Sequence, residues 1–505
     1  MHDLNYRKQK IQQKRKQTPW RQFVMELCSR YGMTFHKHGK RVDGYPDLWR
    51  ITLTSFEEFE SLRWSEYSLT GETFMDQFSS VYAQHPFAHI HQIGKNENST
   101  YASSIYGAKN VYLSTEVIFA SNVLYSAGVK SNSDMILNSV NVVWDNANVY
   151  MSNTVRESFN IFYSKWVFGS SDIWFSSNLK WCTHCLFCHD LQNASYRIQN
   201  KQYDKSQYES LKEKILSQKE KFDERFFWLN QPLIINSLNA TWVWVVDGDT
   251  IENGYFTSKL KSSRNIFFVW WGENNSNFYD TVLAWVPYWS NMYAVWWATG
   301  EHYYCCVEVI ESSHIFYSMY IENCSYCLGC IGLKNKQYCI FNKQYTKEEW
   351  YKKVDQIFSQ MQQDGTLWAF FPWSLCPHYF NDSAAYLIDP SFTKEEVQSY
   401  GYVWRDETMQ TDIPEWIEVV KSSELGQYEK QTVSSNSQGL SITYDDDSLG
   451  KWSIDPTILK KVIQDDAGNV YRIIPMEYKF LKKYGLPLPR KHWLERLKQH
   501  FQTNN

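Results

Sequence analysis

Apolar residues recur every six positions across a long stretch that begins near residue 98. The aliphatic positions of this hexad are Ile105, Val111, Val117, Val123, Val129, Met135, Val142, Val149, Val155, Ile161, Val167, Ile173, Leu179, Cys185 and Leu191, with seven-residue steps on both sides of Val142. A period of six matches neither an α-helix nor a continuous strand. It is typical of a solenoid whose coil holds a whole number of hexads, each a short strand and a corner.

Two further patterns accompany the aliphatic one. Small residues follow three positions later, at Ser114, Ala120, Ser126, Ser152, Ser158, Ser164, Ser170, Ser176, Cys182 and Cys188. Asn or Asp, which tolerate corner geometry, precede the aliphatic position at Asn110, Asn122, Asp134, Asn148, Asn160 and Asp172. Because this polar mark recurs mostly at intervals of twelve, we predict a coil of twelve residues. A coil of eighteen residues is the alternative.

The hexad returns later in the chain and both stretches end in the same way. The second copy runs through Val309, Ile315, Ile321, Cys327 and Leu333. Each copy carries C-x2-C-x2-C followed by N-K-Q-Y, and then a helical stretch at 204–222 or one opened by the capping-box spacing Thr346-x-x-Glu349. A terminal coil needs a cover, so we predict that each helix caps a solenoid unit.

These patterns predict a mainly β chain with two tandem β-solenoid (β-helix-like) units, each capped by an α-helix, and small α+β parts at both ends. The expected parts are a basic N-terminal arm and small mixed domain at 1–95, solenoids with their helices at 98–222 and 235–363, an aromatic and helical extension at 364–420, a linker at 421–450, and a C-terminal appendage with a basic tail at 452–505.

Composition adds few constraints. The 505 residues are 43% hydrophobic and 21% charged with a net charge of −4, which favours a soluble chain without an overall preference for nucleic acid or membrane. The apolar runs 242–246 and 282–289 are too short to span a bilayer. Eleven cysteines, an odd number, and the absence of an apolar leader segment predict reduced thiols and a cytoplasmic location.

The cysteine triplets have two main interpretations. The six residues are Cys182, Cys185, Cys188, Cys324, Cys327 and Cys330. Their spacing, with His184 and His189 beside the first triplet, suits zinc. They also continue the ladder positions held by valine and serine one coil earlier, where free cysteine acts as a small buried residue. The continuous register favours the interior ladder, and zinc and redox roles are alternatives.

Two other groups of cysteines and histidines give weaker signals. The adjacent Cys305 and Cys306 cannot both point inward on a strand, which supports the ladder interpretation. Cys28, His36 and His38 form a weaker candidate metal set, because they lack a paired C-x2-C.

Outward aromatic side chains offer a candidate binding face. They are Tyr112, Tyr125, Tyr150, Phe162 and Trp174. Such an array suits a protein or polysaccharide partner, although lateral packing of the sheet is the more ordinary role of outward aromatics in narrow coils. Basic residues at both ends of the chain, at 1–22 and in the tail, allow a nucleic-acid partner. No membrane insertion is expected.

Catalytic patterns are scarce. The dense carboxylate group Asp247-Gly-Asp249 with Glu252 is more typical of a turn, and the chain contains no Gly-rich phosphate loop, H-E-x-x-H or G-x-S-x-G. No specific function follows. We expect a non-catalytic interaction or structural scaffold. A carbohydrate-active β-helix enzyme and a zinc-dependent nucleic-acid-binding protein are the alternatives.

Several segments resemble a family of uncharacterised proteins from candidate-phyla-radiation bacteria. The resemblance covers most of 1–380 through 193–203, 335–345 and Phe370-Phe-Pro-x-Ser-Leu, and returns at 473–480 and at Leu486-Pro-Leu-Pro-Arg490. It implies cysteine-rich hexad coils that end in N-K-Q-Y and a helix, together with zinc-ribbon cysteine pairs near both ends. This chain departs from that pattern, because Cys28 stands alone and Gln464 and Asp465 occupy the place of a late cysteine pair.

Tryptophan is unusually frequent. The chain has 23 Trp against 21 Gly, and several stand where loops usually place glycine, as at Trp242, Trp270, Trp296 and Trp297. One hypothesis is that the source reads UGA as glycine, so that some of these positions are glycine in the native protein.

Overall fold

The protein is mainly β and is built on a β-solenoid. The computed structural model describes most of residues 67–88, 92–222, 290–406, 413–431 and 452–501, with short strand segments within 52–54 and 248–285. These residues divide into two compact units. The first unit includes 67–88 and 290–406, and it therefore holds the hexad run that comes second in the sequence. The second unit includes 92–222, 413–431 and 452–501, and it holds the hexad run that comes first. The predictions on the basic arm at 1–22, on Cys28, His36 and His38, and on the side chains around Asp247 and Glu252 lie outside the described residues.

Short parallel strands form the solenoid of the second unit. They are Gln92–Ile93, Tyr101–Tyr106, Lys109–Ile118, Ser121–Leu124, Ala127–Lys130, Asp134–Leu137, Val140–Val143, Ala147–Tyr150, Asn153–Arg156, Phe159–Phe162, Lys165–Phe168, Ser171–Trp174, Ser177–Lys180, Thr183–Leu186, His189–Gln192 and Ser195–Ile198. Val111 pairs with Val123, and Val167 pairs with Leu179. Hydrogen bonds between successive coils join residues twelve apart in most of the stack. The twelve-residue coil is therefore confirmed, and the eighteen-residue alternative is wrong.

The backbone makes this narrow coil by entering the left-handed region at nearly every third residue. Asn110 has φ 53°, and left-handed residues follow at Leu113, Glu116 and Phe119. The residue after each of them is buried, which gives the inward set Val111, Ser114, Val117 and Ala120. Aliphatic and small residues therefore alternate around the interior as predicted. Asn suits these corners because its short polar side chain tolerates positive φ.

The predicted register is wrong at one position. Ile136, and not Met135, lies between Val123 and Val149 in the aliphatic ladder. Met135 has φ 57° and is only half-buried. The coil is one residue longer here, because two stacked corners each contain two consecutive left-handed residues: Ser131 and Asn132, then Trp144 and Asp145.

The described residues also contain α-helices and short 3-10 helices. The α-helices are α1 (Phe74–Gln84), α2 (Lys205–Leu216), α3 (Lys347–Gln363), α4 (Lys394–Ser399), α5 (Pro475–Tyr484) and α6 (Trp493–Lys498), and the 3-10 helices are Phe380–Asp382, Ser422–Tyr428 and Pro456–Lys460. The predicted capping box is confirmed at α3, where Thr346 accepts the amide of Glu349 and Glu349 accepts that of Thr346. Among the described residues, no helix combines the length and apolar character needed to cross a membrane.

The C-terminal part of the second unit contains small sheets. Its strands are Val419–Lys421, Glu429–Gln431, Trp452–Ile454, Val462–Gln464 and Val470–Tyr471. Val419–Lys421 pairs with Val462–Gln464, and Glu429–Gln431 pairs with Trp452–Ile454. Residues 421–431 of the predicted linker therefore form regular structure. Residues Asp465–Asn469 form a turn, and the Asp465 carboxylate accepts backbone N–H groups within it.

The first unit carries the second run of solenoid coils. Its strands are Phe268–Trp271, Ser276–Phe278, Thr281–Trp285, Ser290–Phe316, Met319–Glu322, Ser325–Leu328, Gln337–Ile340 and Lys343–Gln344, with Thr52–Thr54 paired to Pro86–Ala88 and Gly248–Asp249 paired to Leu260–Lys261. Val309 pairs with Ile321, and Ile315 pairs with Cys327. These residues are buried, so the second hexad also forms an interior ladder.

Candidate functional site

The first cysteine triplet lies inside the solenoid of the second unit. Cys185 pairs with Ile173 in the aliphatic ladder. The amide of Cys182 donates to Ser170 Oγ at 3.0 Å, which places Cys182 in the small-residue ladder. Cys188 is placed in the same way by Ser176 Oγ at 2.9 Å. All three side chains are buried. They occupy the interior positions that the hexad predicts.

These cysteines make the hydrogen bonds that serine makes in earlier coils. Ser152 Oγ donates to the carbonyl of Tyr150 at 2.8 Å and accepts the amide of Ser164, one coil later, at 3.1 Å. Cys188 Sγ likewise donates to the Leu186 carbonyl at 3.4 Å and accepts the amide of Asn200 at 3.4 Å. In this arrangement the Cys188 thiol takes the place of a serine hydroxyl as a larger, less polar group.

The first unit repeats this arrangement. Cys327 pairs with Ile315 of the preceding coil. The amides of Cys324 and Cys330 donate to Ser312 Oγ and Ser318 Oγ, each at 3.0 Å, which places both cysteines in the small-residue ladder. Cys306 takes an equivalent inward position, with its sulfur 3.2 Å from the carbonyl oxygen of Tyr304. Its neighbour Cys305 has φ 54° and its sulfur lies 3.8 Å from the carbonyl of Ala369. The adjacent pair therefore does not share the interior, as predicted.

A fourth thiol joins the second triplet. Cys339 pairs with Cys327 one coil further on and is fully buried. Contacts with Cys324, Cys330 and Cys339, together with burial, raise the pKa of the Cys327 thiol. Contacts with Cys182 and Cys188 raise the pKa of Cys185 in the same manner. Sequence reasoning missed Cys339, although the twelve-residue period counted from Cys327 points to it.

The histidines flanking the first triplet do not face these thiols. His184 Nδ1 lies 2.7 Å from Asp172 Oδ2, and the ring stacks on Tyr196 with centroids 4.7 Å apart. His189 is exposed and lies 3.2 Å from Asp190 Oδ2. Within the described part of the chain, no three His, Cys, Asp or Glu side chains are grouped so that they could hold a metal ion. Zinc binding by the cysteines stays a prediction.

The N-K-Q-Y motif reverses the chain at the end of each set of coils. In the second unit, Lys201–Gln202 pairs antiparallel with Ser195–Ile198, whereas the preceding strands are parallel. Asn200 fixes the turn: its Oδ1 accepts the amide of His189 at 2.9 Å, and its Nδ2 donates to the His189 carbonyl at 2.9 Å. The short antiparallel strand satisfies backbone groups that an open strand edge would leave free.

The first unit ends with the same hydrogen bonds. Asn342 Oδ1 accepts the amide of Ile331 at 2.9 Å, and its Nδ2 donates to the Ile331 carbonyl at 2.8 Å. Lys343–Gln344 pairs antiparallel with Gln337–Ile340. The shared sequence motif therefore encodes one local structure in both units.

The predicted aromatic face is covered. Tyr125, Tyr150, Phe162 and Trp174 point away from the solenoid interior but are all buried, whereas Tyr112 is half-buried. The prediction of an exposed array is therefore wrong for four of the five side chains. Hydrophobic burial explains the difference, because the C-terminal part of the same unit packs over this face.

Aromatic contacts describe that cover. Phe480 of α5 packs against both Tyr150 and Phe162, with ring centroids 5.9 and 6.4 Å away. Trp493 of α6 stacks on Tyr125 at 5.9 Å. Outward aromatic residues thus form a docking surface for a segment hundreds of residues later in the chain.

A buried ion pair accompanies this packing. Arg496 Nη1 donates to Glu477 Oε1 at 2.9 Å, and the two side chains are 4% and 0% exposed. Burial raises the pKa of Glu477, and the nearby Arg496 opposes that rise. A desolvated pair of this kind fixes the position of α5 relative to α6, since separating the charges inside the protein is costly.

Polar groups are also buried where the end of the chain meets the solenoid. His500 Nε2 donates to the Asn138 carbonyl at 2.7 Å, and Asn153 Nδ2 donates to the His500 carbonyl at 3.2 Å. Burial lowers the pKa of Lys165 to about 7. Burial and the charge of Lys165 lower the pKa of His500 to about 3, so this imidazole is neutral at pH 7.

Comparison with known proteins adds no relationship to these observations. No protein-family model, curated protein or solved structure matches this chain.

Proposed function

We propose that this protein is a non-catalytic interaction or structural scaffold built on its β-solenoid. The carrying observation is the outward aromatic row, which holds a protein segment through Phe480 and Trp493. Solenoid coils repeat their outward positions at a fixed spacing, so they present extended surfaces suited to another polypeptide or polysaccharide.

The surroundings of the outward carboxylates support a non-catalytic role. Glu97 lies 2.8 Å from Lys109, and Asp172 lies 2.6 Å from Lys212. Burial alone would raise the pKa of Asp172, but the charge and hydrogen bond of Lys212 hold this pKa below its ordinary value. Glycosidases instead use two carboxylates that flank the substrate, one with a raised pKa. The carbohydrate-active alternative depends on Asp247, Asp249 and Glu252 and stays a prediction.

The proposed architecture is two tandem units, each completed by a helix. The hairpin hydrogen bonds that both units share support it, and so do the contacts that the first turn of each helix makes with the last coil. Tyr208 of α2 packs edge-on against Tyr196 with centroids 5.7 Å apart. Trp350 of α3 packs in the same manner against Tyr338 at 6.2 Å and donates from Nε1 to the Cys339 carbonyl at 3.1 Å.

The proposed partner is a protein or a polysaccharide, in a reducing compartment such as the cytoplasm. The nine described cysteines carry free thiols, which suits such a compartment. The zinc-dependent nucleic-acid-binding alternative has less support from the C-terminal tail. There Arg496 is buried and paired with Glu477, and Lys498 lies 2.6 Å from Glu495.

Incubation of the 505-residue chain with a panel of polysaccharides tests the proposal. We expect no new reducing ends and no unsaturated products. The control is a double variant, Asp249→Asn with Glu252→Gln. Product release that the wild type shows and this variant lacks would overturn the scaffold proposal in favour of the enzyme.

A further inference from the structure

A small cavity lies within the second unit, between the outward side of the solenoid and the Leu486-Pro-Leu-Pro-Arg490 segment. Its volume is about 30 Å³. Since one water needs roughly 10–15 Å³ on this measure, the space suits a compact polyatomic group. Tyr150 and Tyr163 line one side, and the cationic side chains of Lys219, Arg490 and Arg496 also line it.

Arg496 supplies an unused donor. Its side chain is 4% exposed, and its Nη1 is engaged by Glu477. Its Nε has no hydrogen-bond partner among the described residues. A buried N–H of a charged group that lacks an acceptor is costly, so an acceptor in the adjoining cavity would relieve that cost.

The other two cations add positive charge that nearby acids compensate only in part. Burial lowers the pKa of Lys219 to about 8 even though Glu429 attracts its charge. Arg490 Nη2 lies 3.9 Å from Glu429 Oε2, which is a loose ion pair. Burial raises the pKa of Glu429, and Arg490 and Lys219 oppose that rise. The three cations that line the cavity therefore share two carboxylates as partners: Glu429 for Lys219 and Arg490, and Glu477 for Arg496.

We propose that this cavity binds a compact oxyanion, such as inorganic phosphate or the carboxylate group of a small molecule. Arg496 and Arg490 donate hydrogen bonds to its oxygens, and Lys219 contributes charge. Guanidinium groups suit this role because their planar N–H donors match oxyanion geometry. This site is independent of the proposed scaffold function.

Calorimetric titration of the 505-residue chain tests the proposal. Sodium phosphate and sodium acetate are used separately, at an ionic strength held constant with sodium chloride. We expect one saturable site in the wild type. Arg490→Gln should weaken binding by on the order of tenfold, because it removes a charged donor. Lys491→Gln is the matched control, since it removes the same charge from an exposed neighbour that does not line the cavity, and its affinity should equal that of the wild type.

The two titrants distinguish the class of ligand. Saturation by phosphate alone assigns a phosphate site, and saturation by acetate alone assigns a carboxylate site. Arg490 is 40% exposed, so its variants should fold, and Arg490→Lys should retain part of the affinity. The proposal is overturned by an absence of saturable binding of both anions, or by equal affinities of the wild type and Arg490→Gln.

Discussion

The sulfur of Cys330 accepts a hydrogen bond from the backbone N–H of Asn342 across 3.4 Å. The thiol thus ties the last full coil to the reversing turn. Cys330→Ser keeps both donor and acceptor and should cost about 1 kcal/mol or less. Cys330→Val leaves the Asn342 N–H without its acceptor and should cost ~1–3 kcal/mol more. Urea unfolding of the two variants measures this difference.

The equivalent substitutions at Cys188 provide the matched control in the other unit, because Cys188 accepts the amide of Asn200 at the same distance. Equal losses for Ser and Val at both positions would contradict the proposed hydrogen-bonding role.

The thiols of the interior ladders should be unreactive in the folded protein. Reagent access requires unfolding, because Cys182, Cys185 and Cys327 are 0% exposed. We therefore expect thiol titration to rise only after denaturant is added, and elemental analysis to find no stoichiometric zinc. One zinc per chain that is lost in Cys327→Ser would show instead that the cysteines are ligands.

Removing the ring of Phe480 should loosen the cover over the aromatic row. Phe480 is buried against Tyr150 and Phe162, and truncation of such a side chain typically costs about 3–5 kcal/mol. We expect Phe480→Ala to lower the free energy of unfolding by that order and to increase amide hydrogen exchange in α5 and α6. Trp416→Ala is the control, since Trp416 is 85% exposed and should change neither quantity.

Lys165 should make stability depend on alkaline pH. Its folded pKa of about 7 lies below the ordinary value of 10.5, so the unfolded chain binds more protons between these limits. Its contribution to the free energy of unfolding therefore rises from pH 7 to 10.5, by about 1.4 kcal/mol for each unit of pKa difference. Lys165→Met should stabilise the protein most at pH 7 and least near pH 10.

Chemical denaturation at pH 7 and at pH 10 measures the difference in free energy of unfolding between Lys165→Met and the wild type. A constant difference between Lys165→Met and the wild type would show that the ammonium group is not the cause.

Three tryptophans occupy left-handed corners of the solenoid: Trp144, Trp166 and Trp181, with φ of 60°, 55° and 52°. Glycine adopts this conformation without the steric penalty of a Cβ. If the native source reads UGA as glycine, we expect peptides of the native protein to carry glycine at some of these positions. Mass spectrometry of the natively expressed protein decides the matter, and tryptophan masses at all three positions would reject the hypothesis.

The repeating part of the fold could be predicted from the sequence because one coil follows the next with the same spacing. The places of Cys185 and Cys188 follow from that spacing alone. The error at Met135 has a local cause: Met135 and Ile136 are adjacent and both apolar, so the pattern does not show where the additional corner residue lies. Backbone φ values, and not hydrophobicity, distinguish the two.

The cover over the aromatic row could not be predicted in the same way. Strand alternation tells which side of the coil Tyr150 occupies, but it carries no information on what packs against that side. The contact with Phe480 joins positions more than three hundred residues apart, as the hydrogen bond from His500 to Asn138 also does. Such contacts depend on how separate elements meet, and a periodic pattern within one element does not encode them.

The reversing hairpins have an evolutionary consequence. Each hairpin closes a stack in which a coil pairs with the coils before and after it. Duplication or loss of a gene segment that encodes twelve residues would therefore change the number of coils while preserving the hairpin that ends the stack. The thirteen-residue coils near Ile136 show that even a single added codon is absorbed at a corner. Lineages carrying this gene should therefore differ in coil number more readily than in the sequence of the N-K-Q-Y hairpin.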